Sequence, residues 1–266
     1  MKINFFLFLF YLTNCFVYDN KKNQNKDSLI IENSIKSKIE KEIDLLNIIS
    51  IIKKKKYKFF CGHGYIVRLL QSKKQDNIFA LFTENERLFF KLILEKSKKY
   101  LEFGMGGSTL LAFNTLSIKK IVSIEHNFVW FKKISKFNGV KNEEKNRIFL
   151  EYIDLGKLYK NKPLKKNIKK FSNYSNLIFQ KYENDYDLVF IDGIFRVACV
   201  LQTILNCKND IKILIHDINY VIKYHIIYKY LEVIYSIDTM VLFCIKKYID
   251  IKEVKKDYEI YKNRPE

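Results

Sequence analysis

The chain has 266 residues, 48% of them hydrophobic and 15% aromatic, and a formal net charge of +19. That is enough apolar material for an α/β domain with an extension, and it excludes wholesale disorder; only 2 Pro and 8 Gly exclude collagen-like and linker-like chains. The charge comes from 43 lysines against 5 arginines. Lysine is a hydrated point charge, so the excess reads as solvated faces rather than sequence-specific nucleic-acid recognition.

At the N-terminus, Lys2 precedes an apolar run over 3–12 that resembles the core of a secretory signal. Residues 13–18 offer no small-x-small cleavage site, and Asn14 spoils a lipoprotein site at Cys15. Residues 1–18 are read as a signal or anchor, or else as a buried or membrane-dipping helix. No apolar run reaches the ~20 residues of a spanning helix. Residues 19–79 form a lysine-rich linker and helical extension, with an apolar helix over 43–52 and a turn at Gly62-His63-Gly64. Five cysteines (15, 61, 199, 207 and 244) form no CxxC pair, which excludes a disulfide framework or zinc spacing and fits a reducing, cytoplasmic compartment.

From residue 80 the pattern becomes regular. Thr83 is an N-cap with Glu86 placed as in a capping box, and a helix is expected over 85–98. Strands are expected over 100–103, 121–125, 147–153, 187–192 and 211–216. Helices are expected over 108–117, 129–136, 197–205 and 221–230. An antiparallel pair over 232–237 and 240–245, split by Asp238 and Thr239, closes the domain at 80–250, and 251–266 reads as a polar tail. The alternation predicts a mostly parallel seven-stranded sheet with helices on both faces. In such sheets ligands bind at the carboxyl ends of the strands.

Two features stand at those ends. Glu102-Phe103-Gly104-Met105-Gly106-Gly107-Ser108-Thr109 concentrates three of the eight glycines between a strand and a helix. There the backbone can turn sharply and a ligand can touch it. Glu125 ends the next strand, 19 residues after Gly106, where a carboxylate accepts hydrogen bonds from ribose hydroxyls. Thr109 stands where a dinucleotide fingerprint needs its third glycine. Glu102 lies outside that fingerprint and suits a cofactor with a cationic end, such as S-adenosylmethionine (SAM).

The stretches YLEFGMGGSTLLA, IVSIEHN and DYDLVFIDGIFRVACVLQ, followed by IHD, resemble class I SAM-dependent methyltransferases from about Thr83 to Ile245. More narrowly, they are similar to a bacterial subgroup of small methyltransferase-like proteins. The resemblance implies a Rossmann-like fold and SAM as cofactor. It implies that Glu102, Gly104, Gly106 and Gly107 line its methionine and adenosine parts, and that Ser108 and Thr109 offer hydroxyls and N–H groups to its carboxylate. Glu125 would hold the ribose, His126 would lie beside the adenine, and Asp154 would either hold the adenine amino group or be a plain turn residue.

In that architecture Asp192 sits near the sulfonium methyl. Arg196, a cation at a helix start, is either an anchor for an acidic acceptor or a structural partner of Asp192. His216 is a candidate to take a proton from an acceptor hydroxyl. Asp192, His216 and Asp217 resemble the start of a metal set in metal-using O-methyltransferases, but without further ligands no metal is assigned. The lysine-rich stretch 157–170 reads as a solvated loop or a basic flap over an anionic acceptor. The expected activity is methyl transfer to a small-molecule or glycan acceptor through oxygen. The competing readings are a non-catalytic SAM- or nucleoside-binding module and a nicotinamide-dependent oxidoreductase. No Asn-Pro-Pro-Tyr-type loop follows the 187–192 strand, which argues against a base-flipping methylase.

Overall fold

A computed structural model describes residues 80–265 apart from 145, 160, 161, 219 and 220. The expectations for the apolar segment 3–18, the helix over 43–52 and the turn at His63 fall outside the described residues. Helix α1 (Glu84–Glu95) opens the described region with the expected capping box. Thr83 Oγ1 accepts from the Glu86 N–H at 3.1 Å, and the Thr83 N–H donates to Glu86 Oε2 at 2.8 Å. The helix stops short of residue 98 because Lys98 and Lys99 turn into the sheet, where both N–H groups donate to Asp187 Oδ2.

The strands then alternate with helices: β1 (Lys99–Phe103), α2 (Gly107–Phe113), β2 (Lys120–Glu125), α3 (Phe128–Ser135), α4 (Asn138–Glu143) and β3 (Ile148–Tyr152). A two-stranded ribbon, β4 (Leu158–Tyr159) with β5 (Lys162–Pro163), a 3-10 turn at Lys165–Lys170 and α5 (Ser172–Lys181) follow. The chain continues with β6 (Leu188–Ile191), α6 (Arg196–Asn206), β7 (Lys212–Ile215), a 3-10 helix at Ile222–Lys229, β8 (Leu231–Ile237), β9 (Met240–Ile245) and α7 (Ile251–Tyr261).

Seven strands make one sheet in the order β3-β2-β1-β6-β7-β9-β8. Neighbours pair in parallel from β3 to β7, and β9 runs antiparallel to both β7 and β8. The order reverses between β1 and β6, and there the strands are buried on both faces and read as near-continuous apolar runs. Leu101, Phe103, Val189, Ile191, Ile213 and Ile215 face one core layer, shared with α5, α6 and α7. On the other face Phe90 packs against Phe190 (4.8 Å between centroids) and Tyr100 (6.3 Å).

Three expectations need correction. Residues 251–266 are not simply a polar tail: α7 buries Val254 and Tyr258 in the core, and Tyr258 Oη lies 3.2 Å from Ser175 Oγ. The stretch 221–230 forms a 3-10 rather than an α-helix. It is crowded with isoleucine and tyrosine, which lose rotamer freedom in an α-helix, and no side chain caps it. The stretch 157–170 is folded into the ribbon and 3-10 turn, tied to the end of β3 by the Lys170–Asp154 ion pair at 2.5 Å.

Candidate functional site

Parallel register sets the site. Phe103 pairs with both Ile124 and Ile191, and Ile191 pairs with Ile215, so Gly104, Glu125, Asp192 and His216 emerge in a row at the carboxyl edge. This is the switch point of the sheet, where open α/β folds bind ligands. A cavity of about 340 Å³ lies there, lined by the loop 104–108, by Glu125, His126 and Trp130, and by Asp192 and Gly193. That is within the usual size of a small-molecule site.

The loop after β1 is built by two close approaches. Gly104 has φ +105°, and a Cβ there would lie 2.6 Å from the Gly193 backbone nitrogen. A Cβ on Gly193 would in turn lie 2.1 Å from the Tyr174 hydroxyl. Only glycines let the two loops abut in this way. At Gly106 an added Cβ meets nothing within 4 Å, so this residue opens onto free space in the cleft.

Glu125 is fixed in place by backbone donors. Its Oε2 accepts from the Met105 N–H at 3.0 Å, and its Oε1 accepts from the His126 and Asn127 N–H groups at 2.8 and 2.6 Å. The His126 ring borders the cleft and meets the Tyr174 ring edge-on at 5.7 Å. Both residues line the cleft.

Three expected cofactor residues do not face the cleft. Glu102 is fully buried on the α2 side of β1. It accepts from Ser108 Oγ, from Thr109 Oγ1 at 2.5 Å, from Ser123 Oγ at 2.5 Å and from Tyr100 Oη at 3.2 Å. Burial raises its pKa, and the four hydroxyl donors limit the rise to about 7. Glu102 therefore clamps the loop to β2. Thr109 is fully buried too: its hydroxyl donates to Glu102 and accepts from the Gly106 N–H at 2.9 Å. Ser108 borders the cleft, but its hydroxyl is turned onto Glu102. Asp154 is an exposed turn residue that accepts from the Gly156 N–H at 2.8 Å and pairs with Lys170.

Beyond β6 and β7 lies a chain of charges. His216 is only 3% exposed; its Nδ1 is 3.1 Å from Asp192 Oδ1 and its Nε2 is 3.4 Å from Glu86 Oε2. Glu86 is fully buried, and its Oε1 accepts from the Thr239 N–H at 2.8 Å and Thr239 Oγ1 at 2.6 Å. Burial by itself would lower the His216 pKa, but Asp192 first, then Glu86 and Asp217, outweigh it and lift the value to about 10. Burial would likewise raise Glu86, but His216, Thr239 and Thr83 bring it down to about 2. Asp192 stays below the ordinary carboxylate range because His216 and Arg196 overcome its burial. His216 thus meets the cleft through Asp192, the more exposed of the two, rather than directly.

Arg196 is turned onto the chain. Its Nε donates to the Gly193 carbonyl at 2.9 Å, its Nη1 to the His216 carbonyl, and its Nη2 lies 3.2 Å from Asp192 Oδ1. This favours the structural member of the two roles read from the sequence. Asp217 completes a set with Asp192 and His216 whose donor atoms lie within 4.8 Å of one another. Both ring nitrogens of His216 already face carboxylates, so the cations opposite these acids come from the chain itself. Positive φ at non-glycine residues occurs within the cluster at Asp217 (57°) and beside it at Phe195 (55°), as strained backbone often does at a functional site.

The sequence reading missed Glu86 as part of this network. Its capping-box signal was visible, but its second carboxylate oxygen meets Thr239, 153 residues away, and no local pattern announces that contact.

No family model matches the sequence, and no curated protein does. Among solved structures, a methyltransferase-like protein (spo2022) from Silicibacter pomeroyi DSS-3 aligns with a TM-score of 0.64 at 18% identity, over 72% of this chain and 100% of that one. An O-methyltransferase from Bacillus cereus in complex with SAH aligns with a TM-score of 0.43 at 12% identity, over 74% of this chain and 96% of that one. The first likeness is one of fold: the chain has the seven-stranded Rossmann-like architecture of that methyltransferase-like protein.

Proposed function

We propose that the chain is a SAM-dependent methyltransferase that acts through oxygen on a small-molecule or glycan acceptor. The observation that carries this reading is the cleft at the switch point. It has free space over Gly106 on one side and the anchored carboxylate of Glu125 on the other. These features fit an adenosyl cofactor: Glu125 retains acceptor capacity for ribose hydroxyls, the His126 ring borders the space beside it, and the 106–108 backbone lies against the remainder.

Bound SAM supplies an activated methyl group. What the chain must add is alignment of the acceptor and exclusion of water. Asp192 is the member of the buried charge chain that opens to the cleft, so its carboxylate is placed to accept a hydrogen bond from an acceptor hydroxyl and turn that oxygen toward the methyl group. His216 and Arg196 hold that carboxylate in position from behind. The lysine-rich 157–170 stretch supports an anionic acceptor. The reading places the enzyme where SAM is made, in the cytoplasm, with residues 3–18 a candidate for membrane association.

Isothermal titration of the full chain tests the proposal. SAM and its demethylated product should both bind, and Glu125→Ala should weaken each by roughly tenfold or more, as expected for loss of charge-assisted hydrogen bonds. Failure of both compounds to bind at millimolar concentration would falsify the reading.

A further inference from the structure

Helix α3 wears its apolar side outward. Ile134 is its buried residue, whereas Phe128, Val129 and Trp130 are 53%, 63% and 38% exposed. A surface helix ordinarily turns such residues to the core. Tyr152, at the end of β3, extends the patch and meets Phe128 edge-on at 5.3 Å. Trp130 and the exposed Leu81 carry it to the mouth of the cleft.

The segments that carry and follow the patch are rich in lysine. Residues 126–142 contain four lysines and no acid, and residues 157–170 contain seven lysines and no acid. The Lys170–Asp154 ion pair draws the second stretch to the end of β3, two residues beyond Tyr152. Lys132 Nζ lies 5.9 Å from the Phe128 ring centroid and Lys133 Nζ lies 5.1 Å from that of Trp130.

We propose that this rim, Phe128–Val129–Trp130 with Tyr152 and the surrounding lysines, docks on an anionic lipid surface. The charge selects the occupant. Aromatic side chains with lysines around them are the composition of protein surfaces that lie in a membrane interface. Lysine stems can lie along the acyl boundary while their ammonium groups reach the headgroups. A protein partner fits less well, since lysine is depleted from the centre of protein interfaces. A nucleic acid also fits less well. Phe128 and Tyr152 cover one another edge to face, lysines sit over Phe128 and Trp130, and neither stretch contains an arginine for bidentate phosphate or base contacts.

Trp130 is the single tryptophan of the chain, so its emission, read with the cleft empty, reports the surroundings of this patch. The full-length protein is titrated with phosphatidylglycerol–phosphatidylcholine vesicles and, separately, with pure phosphatidylcholine. On the anionic vesicles Trp130 should shift to the blue and be quenched by brominated acyl chains; pure phosphatidylcholine should do neither. High salt should weaken the response. The double substitution Lys132→Glu and Lys133→Glu should lower apparent affinity roughly tenfold or more. Phe128→Ser should suppress the shift while leaving the circular dichroism and melting curve unchanged, because that side chain is outside the core.

Three results overturn the proposal. One is a chain that sediments with anionic vesicles while Trp130 emission stays unchanged, which assigns binding to another segment. Another is a Trp130 already shielded from acrylamide without lipid, which means that the chain's own residues or a second copy covers the patch. The third is quenching by a single-stranded oligonucleotide with no response to vesicles. None of these readouts depends on SAM binding, so the two proposals fail separately.

Discussion

Glu102 shows how one side chain can serve the loop at the expense of the sheet. Burial raises its pKa from the ordinary 4.5 to about 7. A carboxyl whose folded pKa exceeds its unfolded value binds more protons in the native state, so its contribution to stability is present below pH 4.5 and is lost as pH rises toward 7. Glu102→Gln removes that slope. Relative to the parent, the variant should gain on the order of 3 kcal/mol between pH 4.5 and 8, the free-energy equivalent of the shift. Melting temperatures measured across that range check it; parallel curves for parent and variant refute it. His216 has the opposite charge but the same direction. Its pKa is raised from 6.5 to about 10, so the stabilisation is present below pH 6.5 and lost as pH rises through 10. Glu86→Gln removes one of the carboxylates responsible. The His216 titration followed by NMR should move toward neutrality, and the melting deficit of the variant should be larger at pH 6 than at pH 10.

At the scale of elements, the alternation of short apolar runs with amphipathic ones exposed every strand of the main sheet to sequence reasoning, with ends misplaced by only a few residues. The central strands β1, β2 and β6 are buried on both faces, so their composition alone marks them. What was not legible follows from long-range packing. Helix α7 looked like a tail because it is lysine-rich and buries only one narrow stripe, Val254 with Asp257 and Tyr258. Its reason for folding is the groove beside α6, which no nearby residue encodes. Ending the chain at Asp250 removes Val254 and Tyr258 from the core. Burial of two such side chains is worth about 3–6 kcal/mol, and the melting temperature should fall by roughly 10 °C or more. A truncated chain that melts with the parent contradicts this. Glu125 and His126 were legible because strand-end position follows from the motif itself. Glu102 and Thr109 were misjudged as cofactor residues because their direction depends on which side of β1 faces α2. The period-2 pattern of a strand buried on both faces does not reveal that.

Across the whole molecule, the cleft depends on elements far apart in the chain. α1 brings Glu86, β7 delivers His216, and the β8–β9 turn brings Thr239 to the same carboxylate. A defect in the C-terminal hairpin is therefore felt at Asp192 without any change in the residues that line the cleft. The glycine pair acts over the same distance in another way. Because Gly104 and Gly193 sit backbone to backbone, neither loop has clearance to shift alone. The two turns mesh like gear teeth, so a displacement of either one requires the other to move with it.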